Sequence, residues 1–123
     1  AYQATLDALN SGYRCIDTAF IYASETTERN VGTALQTFLE ERQDSVSRED
    51  VFIITKHWRK YHGYDATTKC LNTSLKRLQL EYIDLYLMHW PGPAWTTMNR
   101  KKCEIETHGH WHYAAHKQQD MVS

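Results

Sequence analysis

The sequence predicts an α/β fold built on a parallel sheet, and three observations carry that reading. Apolar segments of strand length begin near positions 13, 51 and 82, spaced 38 and 31 residues apart, which matches the ~30 or more residues of a right-handed βαβ unit. A helical apolar stripe lies between each pair of segments. The middle segment, Val51-Phe52-Ile53-Ile54-Thr55, is apolar without alternation, the pattern of a strand buried on both faces under helices.

Each element follows in order. Ala1, Thr5, Ala8 and Leu9 share one helical face and Gly12 stands at a stop position, so a helix ending near Asn10 is expected. Tyr13 to Thr18 is short, apolar in its middle and polar at its end, and reads as the first strand. Val31, Ala34, Leu35, Phe38 and Leu39 then repeat at the spacing of an amphipathic helix. The polar stretch Ser45 to Asp50 leads into the second strand. Asp65 is placed to cap a helix whose Leu71, Leu75 and Leu78 point one way, with Lys69, Lys76 and Arg77 largely off that stripe. Tyr82 to Met88 reads as the third strand. From Pro91 onward no period is sustained, which divides the chain into residues 1–91 and a long loop over 92–123.

Composition bounds the function. A chain of 123 residues with 41% hydrophobic side chains allows one domain, and at this size folding buries about two-thirds of the unfolded surface. The formal charge of −1 is spread over mixed acids and bases, so there is no broad basic face to bind nucleic acid or anionic lipid. No stretch approaches the ~20 apolar residues of a membrane span, and no secretory signal is visible. Cys15, Cys70 and Cys103 are odd in number and widely spaced, which suits a reducing, cytosolic compartment.

In parallel α/β folds the functional side chains gather where strands end. Those ends supply Asp17, then Tyr22 five residues on; Lys56; and His89. They are an acid, a phenol, an amine and an imidazole at one edge of one sheet. A lysine ammonium beside a phenol favours loss of the phenolic proton, and a carboxylate keeps that ammonium charged and oriented. An imidazole can hold a carbonyl oxygen or help pass a proton. Together they form a general acid with its supports. Singly, each has a plainer use as a turn former, solvated charge, packing ring or core histidine.

Gly12-Tyr13-Arg14-Cys15-Ile16-Asp17-Thr18-Ala19, Tyr22, Glu25 and Val31-Gly32 carry a resemblance that continues through Arg48 to Trp58, Ser74-Leu75-Lys76-Arg77-Leu78, and Asp84 to Pro91. Over about positions 5 to 91 the sequence resembles the aldo-keto reductase family. The resemblance implies a (β/α)8 barrel, of which this chain supplies about three parallel βα units, and reduction of aldehydes and ketones with NADPH. It implies that Tyr22 protonates the carbonyl oxygen as hydride arrives, that Lys56 held by Asp17 assists it, and that His89 orients the carbonyl. Asp17 is also expected beside the nicotinamide ribose. Trp58 and Trp90 look like pocket-lining aromatics, which with His89 would contact a small carbonyl substrate; packing at the barrel rim is their other reading.

Some positions depart from the family pattern. Cys15 stands where many relatives have histidine, at a position expected to point away from the reaction, and Ser24 replaces an asparagine. The family's Ser-Asn carboxamide motif, its late basic phosphate group and its glycine-bearing first strand are not among these residues. A barrel of this type takes about 250 residues, so the expectation is an N-terminal part of one, binding NADPH weakly by itself and needing the rest of the barrel or another chain. The alternative is a truncated or non-catalytic reductase-like protein acting through binding or assembly, since an open sheet leaves edges to pair. In 92–123, Trp95, Trp111 and Tyr113 could cover a substrate, and Arg100-Lys101-Lys102 reads as a solvated cluster. His108, His110, His112 and His116 match no standard metal spacing, so no metal is assigned.

Overall fold

The computed structural model describes residues 1–91, and the expectations placed on 92–123, including the loop itself, its aromatic, basic and histidine residues and Cys103, lie outside the described residues. Helix α1 (Tyr2–Asn10) precedes β1 (Cys15–Asp17), a four-residue helical segment α2 (Tyr22–Glu25), α3 (Thr27–Glu41), β2 (Phe52–His57), α4 (Tyr64–Leu78) and β3 (Leu85–Met88). The strands form a parallel sheet in the order β1-β2-β3. This is the α/β, partial-barrel arrangement of three successive parallel strands joined by helical crossovers.

Strand ends depart from the sequence reading for identifiable reasons. The β2–β3 ladder starts at Ile54 opposite Leu85 because the N–H of Ile53 is taken by the Asp84 carboxylate, 2.8 Å away, rather than by a backbone carbonyl. Arg48 holds that carboxylate from the other side at 2.6 Å. Tyr82 and Ile83 are thereby left outside the third strand. At β1, Tyr13 is two-thirds exposed and the ladder begins with Phe52 N–H donating to the Arg14 carbonyl at 2.7 Å.

The core lies on one side of the sheet. Leu9, Val31, Leu35, Phe38, Val51, Ile53 and Leu78 form a single buried cluster, which fastens α1, α3 and α4 to the sheet. Burial along β2 alternates, with Ile53, Thr55 and His57 buried and Phe52, Ile54 and Lys56 less covered. The expectation of burial on both faces is corrected accordingly: among the described residues helices cover one face, and Phe52, Leu85 and Leu87 stand exposed on the other.

Helix α4 starts without help from Asp65. Gly63, at a φ of 104°, is its N-cap, and no side chain closes the first turn. Arg77 is corrected as well. Expected off the apolar stripe, it is buried at 8% exposure, while Leu71 and Leu75 are only partly covered. Gly32 has a packing reason to be glycine, since a Cβ there would lie 2.5 Å from the Leu78 carbonyl oxygen. That position lets α3 and α4 approach backbone to backbone.

Candidate functional site

The first strand does not stop supplying hydrogen bonds at Asp17. Thr18 N–H donates to the Ile54 carbonyl at 2.9 Å and Phe20 N–H to the Lys56 carbonyl at 3.1 Å. The ladder thus carries the chain to within two residues of Tyr22. Side chains alternate across a pleated sheet, and the register pairs Asp17 with Ile54 and Lys56 with Leu87. Asp17 and Lys56 consequently share the less covered face with Leu87, and two residues beyond Leu87 the chain reaches His89.

At this edge the Lys56 ammonium donates to Asp17 Oδ1 and, at 2.9 Å, to the Thr18 carbonyl. Its Nζ lies 5.3 Å from the centroid of the Tyr22 ring. The Tyr22 and His89 rings meet edge to face with centroids 5.6 Å apart. Burial, followed by the Lys56 charge, holds His89 below the usual imidazole range, with Asp17 opposing, and its Nδ1 is buried without a partner among the described residues. The structure therefore brings Asp17, Tyr22, Lys56 and His89 to one edge of one face.

The two tryptophans join the same edge. Trp58 approaches His89 edge to face at 6.0 Å and Trp90 lies 6.3 Å from it. Arg59, which the sequence reading did not single out, has its guanidinium carbon 5.3 Å from the Trp58 ring centroid and 5.7 Å from that of Trp90. No spacing signal marks it; its position depends on a short 3-10 turn, Arg59–Tyr61. Cys15 is also corrected. It is exposed and stands on the same face as Asp17, two residues earlier in β1, rather than pointing away.

Behind the edge lies a buried ionic group that sequence patterning also missed. Glu28 is fully buried, accepts from Thr55 Oγ1 at 2.7 Å and faces Arg77 at 3.4 Å. Arg77 bonds Glu25 at 2.5 Å. On the helix-covered face, His57 donates to the Leu87 carbonyl, and its ring is 5.0 Å from that of His62. Those two residues help line a cleft of about 360 Å³ with Gly63, Tyr64, Thr67, Thr68 and Met88. No group of three or more His, Cys, Asp and Glu side chains among the described residues is arranged to hold a metal.

The model of the aldo/keto reductase family matches residues 1–115. The chain belongs to the aldo-keto reductase family. Methylglyoxal reductase DkgA of Escherichia coli K12 is 51% identical over 87 residues, 71% of this chain and 28% of that protein. Glyoxal reductase of Bacillus subtilis is 42% identical over 92 residues, 75% of this chain and 30% of that protein. An aldo-keto reductase of Bombyx mori, solved in complex with NADP, superposes with a TM-score of 0.67 at 37% identity, covering 77% of this chain and 32% of that one. The matched part of the chain thus spans about a third of the length of these relatives. No helix among the described residues is long and apolar enough to cross a membrane.

Proposed function

We propose that this chain carries the proton-transfer part of an NADPH-dependent reductase of aldehydes or ketones, acting on a small carbonyl substrate in the cytosol. The observation that carries this reading is the Lys56 ammonium, fastened to Asp17 and lying over Tyr22, with the His89 ring edge to face against the phenol. NADPH would supply hydride to the carbonyl carbon. Tyr22 Oη gives its proton to the carbonyl oxygen, and the phenolate left behind is stabilised by the adjacent ammonium. His89, held towards its neutral form, can donate a hydrogen bond to the same oxygen without adding a competing charge.

The residues present suit the cofactor's ribose end. The Asp17 side chain is 55% exposed and spends Oδ1 on Lys56, so its second oxygen can accept from a ribose hydroxyl. Trp58, His89 and Trp90 form the aromatic wall of the substrate pocket. Among the described residues Cys15 and Cys70 form no disulfide. The exposed apolar row Phe52, Leu85 and Leu87 favours a second reading, a reductase-like chain that works by binding another polypeptide across that face.

A chimera separates the two readings. Residues 1–91 replace the matching segment of Bacillus subtilis glyoxal reductase, and NADPH consumption with glyoxal is followed. Reduction is expected, and Tyr22→Phe should lower kcat by about 10²–10⁴-fold with NADPH binding unchanged, the usual range for a positioned acid. A chimera that folds and binds NADPH but is indifferent to Tyr22→Phe would sink the proposal.

A further inference from the structure

The segment that bears Tyr22 has an unusual backbone. Ala23, Ser24 and Glu25 all lie in the left-handed region, with φ of 46°, 54° and 72°, and none is glycine. Left-handed backbone is unfavourable for a residue that carries a Cβ, so three in succession persist only where surrounding structure holds them. The Phe20 backbone is fixed on the near side of Tyr22, and Glu25 is the last left-handed residue on the far side.

One side chain grips both. The guanidinium of Arg77, from α4, donates to the Phe20 carbonyl at 3.3 Å through Nη1 and to Glu25 at 2.5 Å through Nη2. Its Cζ stacks 4.1 Å from the Phe20 ring centroid. Nη1 also faces Glu28 at 3.4 Å, and Glu28 in turn accepts from Thr55, the residue immediately before Lys56. Arg77 thereby spans from the segment carrying Tyr22 to the strand carrying Lys56. The planar fork reaches three separate oxygens through two nitrogens while its face lies on the Phe20 ring, a combination that the compact ammonium of lysine reproduces only in part.

We propose that Arg77 is a positioning residue for Tyr22, clamping the left-handed turn so that the phenol stays against Lys56 and His89. The proposal rests on the reductase reading for its functional meaning, but the placement it asserts is measurable without turnover. Removing Arg77 alone strands the carboxylate of Glu28, fully buried, without its counter-charge, so Arg77→Met by itself can unfold the chain. The double variant Arg77→Met with Glu28→Gln removes that charge and keeps the volume.

The test is solution NMR on the full 123-residue chain, reading the nuclear Overhauser contact between the Tyr22 and His89 rings against contacts within the buried cluster of Leu9, Leu35, Phe38, Ile53 and Leu78. In the unaltered chain and in Glu28→Gln both sets are expected, because Arg77 still holds Glu25 and the Phe20 carbonyl. In the double variant the Tyr22–His89 contact is expected to vanish with the core contacts intact. Arg77→Lys with Glu28→Gln should restore it only in part, since charge returns without the fork. A Tyr22–His89 contact that survives the double variant overturns the proposal. So does its loss in step with the core contacts, which would make Arg77 a general structural residue, or its absence from the unaltered chain. The chimera's response to Tyr22→Phe judges the reductase reading independently of all these outcomes.

Discussion

Histidines 57 and 89 lie on opposite faces of the sheet, and both are held towards the neutral form. For His57 burial is the main cause, followed by the neighbouring His62, while its hydrogen bond to the Leu87 carbonyl acts the other way. A folded-state pKa below the unfolded value means that the unfolded chain binds more protons, so stability is fully present above the unfolded pKa and drains away as pH falls. The thermal midpoint should therefore be flat above pH 6.5, the ordinary histidine value, and decline below it. His57→Phe should remove part of that decline, leaving a limb from His89. A midpoint that rises as pH drops from neutral would contradict the assignment. Asp84 acts in a lower window. Burial raises its pKa, but the Ile53 N–H and the Arg48 guanidinium outweigh this and lower it below 3.8, so its contribution is lost only in strong acid.

Helices α3 and α4 meet at Gly32, where the nearest obstacle to a side chain is the Leu78 backbone and not a movable group. Gly32→Ala should force the helices apart and cost about 1–3 kcal/mol, as overpacking does, read as a drop in the denaturant midpoint without change of slope. An equal or higher midpoint would mean that the helices relax freely. The helix at Thr27–Glu41 was legible in the sequence because its stripe repeats with the helical period: Val31, Ala34, Leu35 and Phe38 are buried and Leu39 is partly covered, while the buried Glu28 and Gly32 lay outside that stripe. Strand limits were not, because they depend on which partner takes each N–H, as Asp84 does for Ile53. Arg77 was illegible for a different reason. A helical wheel sees one helix, whereas Arg77 is buried by carboxylates from another segment. The left-handed turn after Tyr22 had no glycine to announce it.

At the scale of the whole molecule, the described residues pack the sheet on one side. Ile53 is fully buried in the core cluster while Leu87, on the other face, is 37% exposed. Ile53→Ala should cost about 2–5 kcal/mol, the range for emptying a packed site, and Leu87→Ala clearly less, both from denaturant unfolding of the full chain. Equal costs would show that the face bearing Leu87 is also packed. The sequence reading took Val51 to Thr55 as covered on both sides because apolar runs do not say which face a partner occupies. The candidate site was more legible than the packing, since strand ends in a parallel sheet can be located from element order alone, and Asp17, Lys56 and His89 follow from that order. What supports the site, from Glu28 and Arg77 to Arg59, comes from contacts between distant segments.

The two hydrogen bonds that extend the ladder past β1, from Thr18 to Ile54 and from Phe20 to Lys56, have a consequence for how such a site can vary. They act as a ruler. Because the chain stays in register with β2 until Phe20, the phenol's place is counted off in residues from a fixed mark, and the turn that follows is short, with Tyr22 N–H donating to the Ala19 carbonyl at 3.2 Å. An insertion between Phe20 and Tyr22 would break that turn and move the hydroxyl from its place, whereas exchanging the side chains at Ile21 or Ala23 leaves the count intact. The spacing of this segment is therefore more constrained than its composition, and loop length, rather than loop identity, is where the chemistry at this edge is vulnerable.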